Sequence, residues 1–336
     1  MPKVMKKKPA AEATGAGGWL TYRPELKVLD CTIRDGGLIN DHCFDDTLVK
    51  AVYETCRAAG VDYMEIGYRA SRKLFASGKT GAWRFCEEED VKRIVGDNPG
   101  GLKLAVMADA GKCDWRNDIV PKKDSVIDMV RVACYVTQIP EAVDMIHHAK
   151  AMGYEVSANL MAVSTIQEAE LDQALESFAK SPADVVVVVD SNGALYSEQI
   201  SMLVKKYLNF VKPTGKEVGV HTHNNLQLAF ANTIEGIVQG ANRVDATMAG
   251  LGRGAGNCPM ELLLGFLRNP KFHLRPVLKL LQDHFIPLRE KMEWGPLVPY
   301  NIVGQLNQHP RGAMAMRAGP DKDNYAEFYD KCIADV

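Results

Sequence analysis

Long apolar runs are the first thing this chain lacks: the longest strongly apolar one, Val185 to Val189, is far too short to span a bilayer as a helix. An excess of one charge is missing too. Forty Lys and Arg face 42 Asp and Glu, a formal net charge of -2, which leaves no electrostatic footprint for nucleic acid or an anionic membrane. The only basic cluster, Lys6 to Lys8, sits in a small, polar stretch, and residues 1–25 are expected to form a flexible leader. No apolar segment follows those lysines, so the leader does not read as a secretory signal. The eight cysteines show neither a CxxC spacing nor a small secreted framework, which predicts reduced thiols in a cytoplasmic enzyme. Both the P-loop and the dinucleotide fingerprint are absent. The glycine-rich GLGRGAGN, Gly250 to Asn257, has no Lys-Ser/Thr behind it, and no acidic residue closes a βαβ unit.

What the chain does have is alternation. Short β-branched runs separated by longer helical patterns fill residues 26–268, the signature of parallel strands joined by crossover helices. Strands are predicted at Lys27 to Ile33, Tyr63 to Gly67, Leu102 to Ala108, Met129 to Tyr135, Glu155 to Met161, Asp184 to Asp190, Glu217 to His223 and Arg243 to Met248. The stretches between them read as helices, with Ser164 or Thr165 a candidate cap for one and Gly60, Gly153 and Gly240 following the ends of others. Eight such units in this length predict an α/β fold, a (β/α)8 TIM barrel. The proline-broken remainder, 269–336, predicts a helical extension, and its WGPLVPYNIVGQLNQHP stretch can cap the barrel top, bind a second subunit, or both.

In such barrels chemistry sits at the C-terminal strand ends, and the polar residues gather there: Arg34 and Asp35, Tyr68 and Arg69, Asp109, Tyr135, Asp190 with Ser191 and Asn192, then His221 and His223. Side chains alternate faces along a strand, so the two histidines of GVHTHNN point the same way and can share one metal ion. The plain alternative for such a pair is two strand histidines satisfied by hydrogen bonds. Asp35 ends the first strand run, and a closed barrel brings the first strand near the seventh. Glycine in GLGRGAGN lets the Asn257 amide oxygen approach as a further ligand. One carboxylate, two imidazoles and an amide, with no thiolate, leave coordination positions open, as a catalytic site requires. Mn2+ or Mg2+ suits this set, with Zn2+ or Fe2+ as alternatives. A 2-oxo acid can fill the open positions, the cation then stabilising the enolate formed when a neighbouring C–C bond breaks or forms. Arg34 can place a permanent cation on the same developing oxyanion. Strict alternation would put Arg34 and Asp35 on opposite faces, so the first strand must bend or end there, at Gly36 and Gly37.

TIRDGG (Thr32 to Gly37), HTHNN (His221 to Asn225) and GLGRGAGN together resemble the metal-dependent lyase and synthase superfamily. Its members include 4-hydroxy-2-oxovalerate aldolase, 3-hydroxy-3-methylglutaryl-CoA lyase and 2-isopropylmalate synthase. RVDATMAGLGRGAGNCPMELLL, Arg243 to Leu264, is most similar to the class II 4-hydroxy-2-oxo acid aldolases. The resemblance implies metal ligation by Asp35, His221 and His223, with Asn257 a ligand or near neighbour. It implies enolate stabilisation by Arg34 and substrate binding by Asp190 and Ser191. It also implies a 2-oxo acid and an aldehyde as small-molecule partners, and a homo-oligomer is expected. Two departures stand out. The histidine that serves these aldolases as general base is replaced by Leu38, leaving His42, Tyr68, Tyr300 and His309 as candidates. The tail does not match the aldolase helices that follow the barrel, so a dehydrogenase partner receiving the product stays open. Alternatives are an acyl-CoA Claisen condensation on a 2-oxo acid and a catalytically inactive binding protein of the same fold. A Schiff-base aldolase is disfavoured, because the strand lysines Lys27 and Lys103 lie at strand beginnings.

Overall fold

In a computed structural model, residues 23–75 and 78–334 are described, so nearly all of the expected leader lies outside them. Eight parallel strands close into a barrel in sequence order. They are β1 (Lys27–Asp30), β2 (Tyr63–Tyr68), β3 (Lys103–Asp109), β4 (Met129–Cys134), β5 (Glu155–Leu160), β6 (Val185–Asp190), β7 (Glu217–Thr222) and β8 (Arg243–Ala246). The ring is sealed where β1 pairs with β8, Val28 opposite Val244. Every strand falls where the sequence predicts one. The first is shorter than expected, because the chain leaves β1 at Asp30 and enters one helical turn, Thr32–Gly36. That turn answers the alternation problem: on a helix neighbouring side chains diverge by about 100°, so Arg34 and Asp35 need not lie on opposite faces. A Cβ on Gly36 would stand 2.6 Å from Leu251 Cδ2, so glycine is required there by close packing.

Alternation along the strands builds two different surfaces. Outward positions such as Val186, Val188, Val218 and Val220 are buried under the helices in one continuous apolar core, each valine contributing about 2 kcal/mol of burial. Inward positions stack in layers up the lumen. At the bottom, Tyr63 and Lys103 bond to Glu155, and Arg243 pairs with Glu155 and Glu217. Above them lies a small apolar plug including Leu29, Met129, Val185 and Val187. Glu65 of β2, Arg131 of β4, Asn159 of β5 and Asp245 of β8 form the next layer, and the layer above carries the site.

Helices follow the strands, as at Asp46–Ala59, capped by the Asp45 carboxylate on the Leu48 N–H and ended by left-handed Gly60. The helix after β5 starts at Glu168 rather than beside Ser164 or Thr165: Gln167 is its N-cap, paired reciprocally with Glu170. Beyond the barrel, Val298–Gln305, Arg311–Arg317 and Tyr325–Ala334 are helical. This extension covers part of the barrel top. Asn301 donates to the Asn225 carbonyl at 2.6 Å, and Asn307 accepts from Ser164 Oγ at 2.7 Å and, at its carbonyl, from Asn192 Nδ2 at 2.9 Å. Among the described residues no helix is long and apolar enough to cross a membrane.

Candidate metal centre and active site

His221, one residue before the end of β7, turns toward Asp245 of β8; His223, two residues on, bridges to Asn257 of the glycine-rich loop after β8. The environment fixes which ring nitrogens carry protons. His221 Nδ1 lies 3.0 Å from Asp245 Oδ2, and an ionised carboxylate only accepts, so Nδ1 donates. Burial opposes ionisation of Asp245, but Arg131 and His221 hold its carboxyl at about 2. His223 Nδ1 lies 3.2 Å from the Gly256 carbonyl, again only an acceptor. In the neutral rings this leaves the lone pairs on the two Nε2 atoms, which face each other at 3.4 Å. Asp35 Oδ2 lies 3.8 Å from one and 3.7 Å from the other.

Three acceptors thus converge with no proton between them. Burial pushes His223 well below its usual value, so it does not supply that proton. Burial disfavours ionised Asp35 too, but neighbouring positive charge, permanent on Arg34 and Arg253, more than offsets this and keeps it a carboxylate. Donor atoms each about 2.1 Å from one cation sit roughly 3 to 3.4 Å from one another, close to the separations seen. The residues therefore fit a divalent cation. Asn257 stands beside them: its Nδ2 donates to Asp35 Oδ1 at 3.1 Å and its Oδ1 is buried without a partner, an acceptor available to the same ion. A second grouping, Cys31 with His221 and Asp245, is geometrically close. It is chemically poor, because burial raises the Cys31 thiol well above its ordinary range and Asp245 already occupies His221 Nδ1.

Beneath the triad lies a chain of buried charges that the sequence reading missed. Arg34 Nη1 meets Asp35 Oδ2 at 2.5 Å and its Nε meets Glu65 Oε2 at 2.6 Å. Arg131 joins Glu65 at 3.0 Å to Asp245 at 2.5 Å, and donates to Asn159 Oδ1 at 3.2 Å. Every link is nearly free of solvent, where losing one partner of a pair costs about 3–5 kcal/mol. The signal was present: a Glu, an Arg and an Asp interrupt YMEIGY, MVRVAC and RVDA, and a charge inside a buried strand demands a partner.

The cavity above is lined by Arg34, Tyr68, Met107, Arg131, Ala133, Asn159, Met161, Val189, Ser191, His221, His223 and Arg253. Burial pushes the Tyr68 phenol well above its ordinary value, so it stays protonated. His42 is set behind Tyr68, ring edge to ring face at 5.2 Å, with Nε2 3.2 Å from Arg84 and Nδ1 buried without a partner. Burial, Arg84 and Arg34 lower it to about 3. Leu38 packs against the apolar group of Tyr68, Phe85 and Met107. Asp190 is turned into its own loop, accepting from the Ala194 and Leu195 N–H groups, while Ser191 Oγ accepts from Ala162 N–H at the cavity wall. Tyr300 packs within the C-terminal extension with Ala255 and Val303. His309 lies near Arg253, Arg311 and Lys112; burial and those cations lower it to about 4.

Comparison with known proteins agrees with this geometry. The HMGL-like family model matches residues 25–282. The chain is 30% identical over 256 residues to a 4-hydroxy-2-oxovalerate aldolase of Pelotomaculum thermopropionicum, covering 75% of this chain and 72% of that one. It is 29% identical over 262 residues to an oxaloacetate decarboxylase of Mycobacterium tuberculosis, covering 76% and 74%. Among solved structures, the N-terminal domain of a Bacteroides vulgatus protein provisionally named an aldolase superposes with a TM-score of 0.76 at 29% identity, over 90% of this chain and all of that one. With a family model spanning most of its length and a barrel carrying carboxylate and imidazoles at the strand ends, the chain belongs to the HMGL-like family and is a metal-dependent carbon–carbon lyase.

Proposed function

We propose that the chain is an aldolase-type lyase that cleaves a 4-hydroxy-2-oxo acid, or runs the reverse addition, through the enolate of pyruvate or a related 2-oxo acid. The observation that carries this reading is the convergence of three unprotonated donors, Asp35, His221 and His223, beside an arginine whose remaining N–H groups face the cavity. In this reading those three residues hold a divalent cation, Mn2+ or Mg2+, with Asn257 at its side. When bound, the cation supplies a Lewis acid that draws electron density from the 2-oxo group. Arg34, tied at Nη1 to Asp35 and at Nε to Glu65, keeps Nη2 for the oxygen on which charge develops. In cleavage the C3–C4 bond breaks, C4 leaves as an aldehyde carbon and the electron pair forms the enolate, while the C4 hydroxyl proton passes to the Tyr68 oxygen as Tyr68 gives its own proton to C3. That proton on C3 completes pyruvate. Tyr68, protonated and at the cavity wall, is the side chain placed to carry a proton there, with His42 and Arg84 fixing its ring. Ser191 borders the substrate, and Asp190 holds the loop that presents it.

Leu38 favours a second reading, decarboxylation of a 2-oxo dicarboxylic acid. Loss of CO2 needs no base to deprotonate the substrate, and the relative named oxaloacetate decarboxylase supports it. The test incubates protein loaded with Mg2+ or Mn2+ with 4-hydroxy-2-oxopentanoate and with oxaloacetate, following pyruvate by a coupled dehydrogenase. Pyruvate from the first supports the aldolase reading. Pyruvate only from the second, above the metal-only rate, supports the alternative, and absence of both refutes the pair.

A further inference from the structure

We propose that Arg253 sets specificity, forming a subsite for a second carboxylate at the substrate end remote from the 2-oxo group, so that the chain prefers substrates acidic at both ends. The proposal deepens the 2-oxo-acid reading above and rests on it.

Three arginines line the cavity, and they are not equivalent. Arg34 and Arg131 are each engaged by two carboxylates. Arg253 lines the same cavity from the loop after β8. Among the described residues it has no carboxylate within ion-pair distance. Its Nη2 donates to the Ser191 carbonyl at 2.8 Å, while its Nε is shielded from solvent and has no partner. A guanidinium carries five N–H donors in a planar fork suited to a carboxylate, and most of this fork is uncommitted.

The fork is also held in place. A Cβ on Gly252 would stand 2.7 Å from Asp35 Oδ1, so the loop backbone lies directly against the metal centre. Gly254, at φ +61°, packs against Pro310 and Tyr300 of the C-terminal extension. Arg253 is thus fixed between the centre and the roof, with Met107, Ala133, Met161 and Val189 supplying apolar wall. These surroundings describe a ligand with an acidic head at the cation, a short apolar middle and an acid at the far end. In C3–C4 cleavage the far carboxylate stays with the aldehyde fragment and takes no part in the electron flow.

The test is calorimetric titration of the Mg2+-loaded full chain with 2-oxoglutarate and with 2-oxopentanoate, which share a five-carbon 2-oxo acid skeleton but differ in having a carboxylate or a methyl at the far end. The wild type should bind the dicarboxylate roughly 10- to 100-fold more tightly, the range expected for a charged hydrogen-bonded contact. R253Q should bring the ratio near one, and R253K should restore part of it, having charge without the fork. Equal affinities in the wild type, no binding of either acid, or a ratio unchanged in R253Q overturns the proposal. If the preference is found but no 4-hydroxy-2-oxo acid is cleaved, the subsite stands and the aldolase reading falls. Cleavage without the preference gives the converse.

Discussion

Asp245 touches no substrate, yet the geometry gives it control over the metal centre, and replacing it by alanine and by asparagine tests the reasoning most finely. Its carboxylate accepts from His221 Nδ1 at 3.0 Å and from Arg131 at 2.5 Å. Because it only accepts, it forces the His221 proton onto Nδ1 and leaves Nε2 free to ligate. Both donors meet the same oxygen, Oδ2, so an asparagine of the same shape is held by Arg131 with its amide oxygen toward Nδ1 and loses only the charge. Alanine removes the acceptor and frees the ring proton to move to Nε2 and block the ligand atom. Loss of such a supporting partner typically costs 10- to 100-fold in metal affinity, which corresponds to about 1.4–2.7 kcal/mol. Asp245→Ala, which removes the acceptor, should weaken metal binding more than Asp245→Asn, which keeps one. Arg131 keeps Glu65 and Asn159 in both variants, so their melting temperatures should be similar. Competition between protein and a calibrated chelator for Mn2+ measures the affinities at pH 7, where Asp245 is fully ionised. Wild-type affinity in Asp245→Ala would refute the tautomer argument.

Other expectations follow from neighbouring groups. Arg34→Gln should bind metal normally but turn over about 10²- to 10³-fold more slowly, the usual loss for one oxyanion donor; retained turnover in steady-state assays would remove Arg34 from the mechanism. Tyr68→Phe should slow aldol cleavage by about 10²- to 10⁴-fold and decarboxylation far less, so equal losses in the two assays would show that Tyr68 is not the proton carrier. His42 sits at about 3 in the fold against an ordinary 6.5, so as pH falls below 6.5 the unfolded chain takes up the proton first and stability is lost. Urea melts at pH 6.5, 5.5 and 4.5 should show His42→Asn losing about 1.4 kcal/mol less per pH unit than wild type, and parallel curves would contradict burial of a neutral His42.

The barrel was legible because each parallel strand is covered on its outer face and reads as an apolar run bounded by turns. The two histidines and Asp35 were legible because ligand chemistry ended such runs. Less visible was anything that depends on which way a side chain turns. Arg34 and Asp35 share a helical turn that the run VLDCTIRD does not announce. Asp190 was grouped with Ser191 as substrate-facing, yet the backbone N–H groups of Ala194 and Leu195 hold it inside the loop, a local bond that pattern reading cannot see. Glu65, Arg131 and Asp245 were passed over as strand interior, although their charge in buried strands was itself the clue. Arg253 stood in plain view within GLGRGAGN, where attention to the glycines and Asn257 hid it.

The central claim is that Asp35, His221 and His223 hold one cation where a 2-oxo acid can be made carbanionic. Mass spectrometry of pyruvate incubated in D2O with Mg2+-loaded protein tests it most directly. The account predicts catalysed deuterium uptake into the pyruvate methyl group, abolished by chelator and by His221→Ala or Asp35→Asn, with near-stoichiometric metal in the wild type and none in either variant. Exchange that survives the loss of those ligands, or stoichiometric metal retained without them, would contradict it.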